Sequence, residues 1–260
     1  MPRFSANLGF LWPDRPLLDR IKAAARAGFK AIELHWPYDI PAATVRAACS
    51  DNNLTLLGIN TAVGDASKGD FGLGAIPGRE AEFQAAVDQS IAYCRRSGAT
   101  TIHCMAGVVP EAQREQAKMV FVANLGIAAV KAAAHDLDLL LEPINPRDKP
   151  GYFYSTVAPA AGIIDLVAAP TIRLMFDVYH VAVSEGDVLK KLEHYLPIIG
   201  HVQIAAVPSR AEPDEGEIAY GAVFKALDEL GYNGWVGCEY RPRGDTDEGL
   251  RWAQSLHVSL

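Results

Sequence analysis

The sequence predicts an α/β protein built as a (β/α)8 barrel. Short apolar runs alternate with amphipathic segments along all 260 residues, the pattern of a parallel sheet covered by helices. The alternation counts to eight without an internal break. The first apolar run leads into Asn7-Leu-Gly-Phe-Leu-Trp-Pro, which has no glycine-rich phosphate turn of the kind an open doubly wound sheet uses. A barrel of this length is ordinary as one domain, here residues 1–260.

The strand-like runs are Phe4–Leu8, Ala31–Leu34, Leu54–Ile59, Thr101–Met105, Asp138–Glu142, Ile172–Phe176, Gly200–Ile204 and Gly234–Glu239. Helix-like segments lie between them at about 16–27, 41–52, 79–97, 112–136, 156–168, 187–195 and 219–230, with a last one at 247–257. Their apolar residues recur at three- and four-residue steps, as in Phe83, Val87, Ile91 and Cys94. Gly28, Gly98 and Gly231 follow three of these segments, where a left-handed residue closes a helix. Residues 60–79 form a long connection with five glycines, and that length favours a functional lid over the rim.

Half the residues are hydrophobic, 21% are charged and the formal net charge is -7. With no basic run, nucleic acid is an unfavoured partner, because neutralising phosphates requires clustered Lys and Arg. Cys49, Cys94, Cys104 and Cys238 form no C-x-x-C pair and are too sparse for a disulfide scaffold. The chain lacks the apolar stretch of a signal peptide and any window long enough to span a membrane. These features together predict a cytoplasmic protein without membrane contact.

Four strand runs close on a polar residue: Glu142, Asp177, Gln203 and Glu239. In a barrel these are the carboxyl ends of strands five to eight, where the fold builds its sites. Three carboxylates and an amide make a hard-oxygen set suited to Mg²⁺ or Mn²⁺, with no call for an organic cofactor. Each carboxylate alone could merely cap a following helix, but Pro143 follows Glu142 and Tyr-Arg-Pro-Arg follows Glu239. Strand alternation turns Glu239 and Gly237 inward and Val236 and Cys238 outward.

His180, three residues beyond Asp177, lies on the rim and can bond a substrate oxygen. Arg147, Asp148 and Arg210 lie on rim loops, and the arginines suit carboxylate recognition. Lys149 reads as a solvated loop charge. His201 should face the interior one layer below Gln203, whereas His35, His135, His194 and His257 read as structural. Two glutamates across a small cation-bound substrate suit proton transfer beside a carbonyl.

At these residues the chain resembles the hydroxypyruvate isomerase family of the xylose isomerase-like barrels. The likeness covers nearly the whole length and includes Pro2-Arg-Phe-Ser-Ala-Asn7, Ile76-Pro-Gly-Arg-Glu80, Glu142-Pro-Ile-Asn145, Asp177-Val-Tyr-His180, His201-Val-Gln-Ile204 and Gly234-Trp-Val-Gly-Cys-Glu-Tyr240. The last is long and the most specific. The resemblance implies isomerisation of hydroxypyruvate to tartronate semialdehyde through an enediol. It makes Glu142 and Glu239 the catalytic pair, and gives these two with Asp177 and Gln203 the metal. It assigns substrate contacts to His180 and Arg210. A small anionic sugar acid is the implied partner, and homo-oligomers are common in the family. Two segments depart from the pattern, Glu33-Leu-His-Trp36 and Val181-Ala-Val183. Asn60-Thr-Ala-Val-Gly-Asp65 is closer to the 2-oxo-tetronate isomerase branch.

Overall fold

The computed structural model describes residues 2–260. Nine parallel strand segments are hydrogen-bonded in one sheet: β1 (Arg3–Asn7), β2 (Ala31–Glu33), β3 (Thr55–Leu56), β4 (Gly58–Asn60), β5 (Thr101–His103), β6 (Asp138–Leu141), β7 (Ile172–Asp177), β8 (Ile199–Ile204) and β9 (Trp235–Cys238). They follow the order β3-β2-β1-β9-β8-β7-β6-β5-β4, so the two ends of the sheet are neighbours in sequence.

Leu57 joins those ends. Its amide donates to Ile32 O at 2.9 Å, and its carbonyl accepts from the amides of Thr100 (3.0 Å) and Thr101 (2.9 Å). The third sequence-predicted strand is therefore split between two partners, β2 on one side and β5 on the other, and the split closes the barrel. Gly58 makes the closure sterically possible, since a Cβ there would stand 2.2 Å from Thr101 Oγ1.

Outside the strands lie α1 (Leu17–Ala27), α2 (Ala42–Asp51), α3 (Glu80–Ser97), α4 (Arg114–Ala133), α5 (Val157–Val167), α6 (Val178–Ser184), α7 (Val188–Tyr195), α8 (Tyr220–Glu229), α9 (Thr246–Gly249) and α10 (Trp252–Ser255). Gly28, Gly98 and Gly231 adopt the left-handed conformation expected of helix ends, with φ of 107°, 90° and 72°. The expected last helix is two short turns, and α6 is additional. It begins directly after β7 because the Asp177 side chain accepts from the Tyr179 amide at 2.8 Å and caps it.

Bulky residues fill the space between strands and helices: Phe4, Phe29, Phe83, Phe121, Phe176 and Trp252 are all buried. Phe4 meets Trp252 and Phe224 edge-on, so the short α10 docks on β1 through an aromatic contact. The four cysteines are free and buried. No helix of the described residues is long and apolar enough to cross a membrane.

The 60–79 connection is fastened rather than free. Gly72 bridges Ala106, the amides of Leu73 and Gly74 donate to Met105 O, and Ala75 donates to Ala106 O at 2.7 Å. Asn124 on α4 donates to Gly74 O at 2.8 Å, and Arg79 pairs with Asp70 at 2.7 Å. These bonds hold Phe71 in the wall of the cavity above the strand ends.

Candidate active site

Because every strand is parallel, the carboxyl ends share one rim. Register aligns Asp177 with Gln203, Gln203 with Gly237, and Asn7 with Glu33. Glu142, Asp177, Gln203 and Glu239 are all buried around a common centre. One ligand atom each from Glu142, Asp177, His180 and Glu239 falls within 4.8 Å of the others. A cavity of about 380 Å³ opens over them, lined by Phe10, Trp36, Phe71, Lys149, Arg210 and Arg241 among others. A second, of about 310 Å³, continues down the barrel past Glu33, His201 and Gln203.

Glu239 is surrounded by donors. Its Oε1 accepts from Asn7 Nδ2 (3.0 Å) and Gln203 Nε2 (3.3 Å) and lies 3.1 Å from His35 Nε2. Its Oε2 accepts from Arg210 Nη2 at 2.9 Å. Burial by itself would raise this carboxyl, but the His35 bond and the Arg210 charge overcome it and hold the group well below the ordinary glutamate range. Glu142 has the opposite surroundings. Burial, then the charges of Glu239 and Asp177, push it well above its usual value. Asp177 is raised to about 7 by burial and Glu239.

Gln203 is oriented by elimination. Its Nε2 faces two carboxylates, Glu33 Oε2 at 2.9 Å and Glu239 Oε1 at 3.3 Å, and an ionised carboxylate only accepts. The amide nitrogen must therefore point at them, and Oε1 points away without a hydrogen-bond partner. Glu142 Oε1 and Asp177 Oδ2 are likewise buried and unpartnered. Three buried oxygens lacking donors are costly unless a cation sits among them, so the set fits a hard divalent ion. His180 stands apart from that set. Its Nδ1 accepts from the Asn145 backbone amide at 3.2 Å, which leaves the hydrogen on Nε2. Burial and Arg210 keep the ring neutral, lowering it to about 3. His180 is thus a donor aimed at the centre, 3.6 Å from both Glu142 and Asp177.

Arg210 reaches the site from a strained position, with φ of 55°. The Arg241 amide pins its carbonyl at 2.7 Å. Its guanidinium lies over the Phe10 and Tyr179 rings, Nη1 donates to Asp148 Oδ2 (2.7 Å) and Nη2 to Glu239 Oε2, and the buried Nε is left without a partner. Asp148 also accepts from Tyr179 OH at 3.0 Å, so it lines the cavity mainly as a brace for Arg210. Arg147 is exposed and stands off the cavity lining, whereas its neighbour Lys149 takes the place in the wall. Of the two departing segments, Trp36 lines the cavity, while Val181 is packed in the core.

Sequence reasoning missed Glu33 and Asn7 and misread His35. Glu33 accepts from Ser5 Oγ (2.6 Å), lies 3.0 Å from His201 Nε2 and holds Gln203. Gly237 leaves room for it, since a Cβ there would fall 2.1 Å from Glu33 Oε1. Both Glu33 and Asn7 end strands, the same signal that found the other four. His35, read as structural, touches Glu239 because it follows β2 onto the rim. His201 does face the interior, buried beneath Gln203. His103, on β5, lies 3.4 Å from Glu142 and is lowered to about 4 by burial.

Comparison with known proteins gives the family. The family described as xylose isomerase-like TIM barrel matches residues 21–256. The 2-oxo-tetronate isomerase of Cupriavidus necator is 45% identical over 253 residues, covering 97% of each chain. Hydroxypyruvate isomerase of Escherichia coli is 39% identical over 253 residues, covering 97% of this chain and 98% of its own. A crystal structure from Brucella melitensis, titled AP endonuclease, family 2, superimposes with a TM-score of 0.96 at 40% identity over 98% of this chain and 99% of that one. The chain belongs to the xylose isomerase-like TIM-barrel family, in its hydroxypyruvate isomerase and 2-oxo-tetronate isomerase group. It is an isomerase of the hydroxypyruvate isomerase type.

Proposed function

We propose that the protein interconverts hydroxypyruvate and 2-hydroxy-3-oxopropanoate, with Glu142 and Glu239 as the proton-transfer pair. The observation that carries this reading is geometric: Glu142 and Glu239 are both buried, and each puts a carboxylate oxygen within 4.8 Å of the other and of Asp177 and His180 in one cavity. Glu239, ionised among donors, accepts a proton from C3 of hydroxypyruvate. The C–H electron pair becomes the C2–C3 double bond and the carbonyl pair moves onto O2. A proton passes from O3 to O2's side of the enediol, C2 is reprotonated, and the aldehyde forms at C3. Glu142 serves the opposite face. His180 Nε2–H donates toward the substrate oxygens. Arg210 holds Glu239 in place and counters the charge around it.

Glu142, Asp177, Gln203 and Glu239 would hold a divalent cation, Mg²⁺ or Mn²⁺ by their oxygen chemistry. Such an ion, when bound, polarises the carbonyl and offsets enediolate charge.

A second substrate is favoured by the 45% identity to a 2-oxo-tetronate isomerase. 2-Oxo-tetronate carries its carbonyl at C2 beside a C3 carbinol, so the same pair would pass through a C2–C3 enediol. The endonuclease title of the Brucella structure finds less support here. The formal charge is -7 and the central cluster is carboxylate-rich, whereas phosphodiester binding calls for a basic face.

The test is solvent exchange in D₂O with each substrate and a divalent ion present. Deuterium should enter C2 or C3 of at least one acid with the wild type and be lost in Glu239→Gln. Exchange with neither acid would remove the isomerase reading.

A further inference from the structure

We infer that Lys149 is the anchor for the substrate carboxylate; this rests on the sugar-acid reading above. A carboxylate entering the cavity meets a centre already rich in negative charge from Glu142, Asp177 and Glu239, and it needs a cation that is not spent. Three Lys or Arg side chains line the cavity: Lys149, Arg210 and Arg241. Arg210 is engaged by two carboxylates, Glu239 and Asp148. Arg241 is exposed at the mouth, its guanidinium 5.9 Å from the Phe10 ring centre. Lys149 has no carboxylate within 4.0 Å among the described residues. Its ammonium instead sits 4.2 Å from the centre of the Phe71 ring.

The arrangement is built. The Lys149 amide donates to Asn145 O at 3.1 Å, its carbonyl accepts from the Tyr152 amide at 3.2 Å, and Asn145 Oδ1 accepts from the Asp148 amide at 2.9 Å. Asn145 is the residue that also fixes the His180 tautomer, so the turn bearing Lys149 and the donor aimed at the centre are set by one side chain. Phe71 is held edge-on by Trp36 and Tyr152. A ring face attracts the ammonium while leaving its three donors free for an anion.

Substrate chemistry agrees with this placement. In hydroxypyruvate and in 2-oxo-tetronate alike, the enediol forms at C2 and C3, and the carboxylate is the neighbouring C1 group. Lys149 would therefore read the end the two acids share. It distinguishes sugar acids from neutral sugars and leaves the choice between the two acids to other walls of the cavity.

Steady-state kinetics of wild type, Lys149→Met and Lys149→Arg on both acids, together with calorimetry of the unreactive hydroxy-dicarboxylate tartronate, test the inference. Loss of a charge-assisted bond should raise KM about 10- to 100-fold in Lys149→Met, with kcat within about threefold. Tartronate should weaken in parallel, and Lys149→Arg should recover most of both. An unchanged KM or unchanged tartronate affinity in Lys149→Met would overturn the role of Lys149, as would failure of tartronate to bind the wild type. Tartronate binding that depends on Lys149, without exchange of either acid, would instead leave the anchor standing and remove the isomerase reading.

Discussion

Glu239 and Glu142 are the same residue type at the ends of parallel strands in one cavity, yet the two flanks of the cluster treat them oppositely. On the Glu239 side, Asn7, Gln203, His35 and Arg210 all present hydrogens, and the carboxylate stays ionised. On the Glu142 side, one oxygen has no partner, His103 and His180 are kept neutral by burial, and Asp177 adds repulsion. The fold supplies depth to both flanks equally. What separates them is donors, and these come from β8, the β1–β2 side and the Arg210 turn. Without an ion, this inequality leaves the proton on the Glu142 side while Glu239 stays ionised, and ligation of a cation would narrow it.

The most damaging change should be loss of the accepting oxygen itself. Glu239→Gln is expected to lower kcat by about 10²- to 10⁴-fold, the range for a positioned proton-transfer group. Glu142→Gln should fall in the same range while leaving partial exchange at one carbon, if each glutamate serves its own face. Equal and complete loss of exchange at both carbons in the two variants would erase the distinction between the flanks. Arg210→Met should act next in size, about 100-fold in kcat/KM, because it removes the guanidinium charge and a 2.9 Å donor from Glu239. It should also move the acid limb of the pH profile upward, as Glu239 then resembles Glu142. An unmoved acid limb would show that Arg210 does not set the proton affinity of Glu239.

pH separates the flanks without mutation. Glu142 and Asp177 are raised, Asp177 from 3.8 to about 7, so the folded protein binds protons that the unfolded chain has released. Stability from these groups is full below about pH 4 and falls as pH rises toward 7. Glu239 is lowered, so its contribution runs the other way and is lost only on strong acidification. A divalent ion must displace the proton on the Glu142 side. Its stabilising shift in Tm should therefore be clearly larger at pH 8 than at pH 5.5, with apparent affinity rising about tenfold per pH unit below 7 for each proton released. A shift independent of pH would mean that these carboxyls are already ionised.

How much of this was legible in the chain depends on distance along it. Alternating apolar runs and glycine stops gave the barrel, because strand and helix periods are local. Closure at Leu57 was not readable, since it depends on two strands that are remote in sequence sharing one residue. Helix α6 escaped because Val178-Tyr-His-Val-Ala-Val183 is rich in strand formers, and only the Asp177 cap turns it helical. The four strand-end residues were visible as polar stops after apolar runs. Glu33 and Asn7 also end strands, but each is followed by a leucine, so the apolar runs were carried on to Leu34 and Leu8 and the polar stop was hidden. On the rim, Arg147 and Lys149 are two residues apart with equal charge. The turn set by Asn145 decides which of them faces the cavity, and no pattern in Asn145-Pro-Arg-Asp-Lys149 announces it.

Glu33 offers the finest cut between the flanks, because it touches the cluster indirectly, through Gln203 at 2.9 Å and more weakly through Asn7 at 3.5 Å. As a carboxylate it can only accept, and this turns the Gln203 NH₂ toward Glu33 and leaves Oε1 on the other side, without a hydrogen-bond partner. In Glu33→Gln the new side chain can donate or accept, so Gln203 is free to flip and present its NH₂ instead. Divalent-ion affinity, followed by competition with an indicator, should weaken about tenfold, the value of one hydrogen-bonded ligand support. Glu33→Asp keeps an acceptor-only group and should lose less if it still reaches Nε2. The stability of Glu33→Gln, followed by thermal melting without ion, controls for damage to the Ser5 and His201 contacts. Weaker ion binding at unchanged melting would place the effect in the orientation of a single amide. Unchanged ion binding would show that the Gln203 carbonyl does not depend on Glu33, and that the donors around Glu239 suffice to orient it.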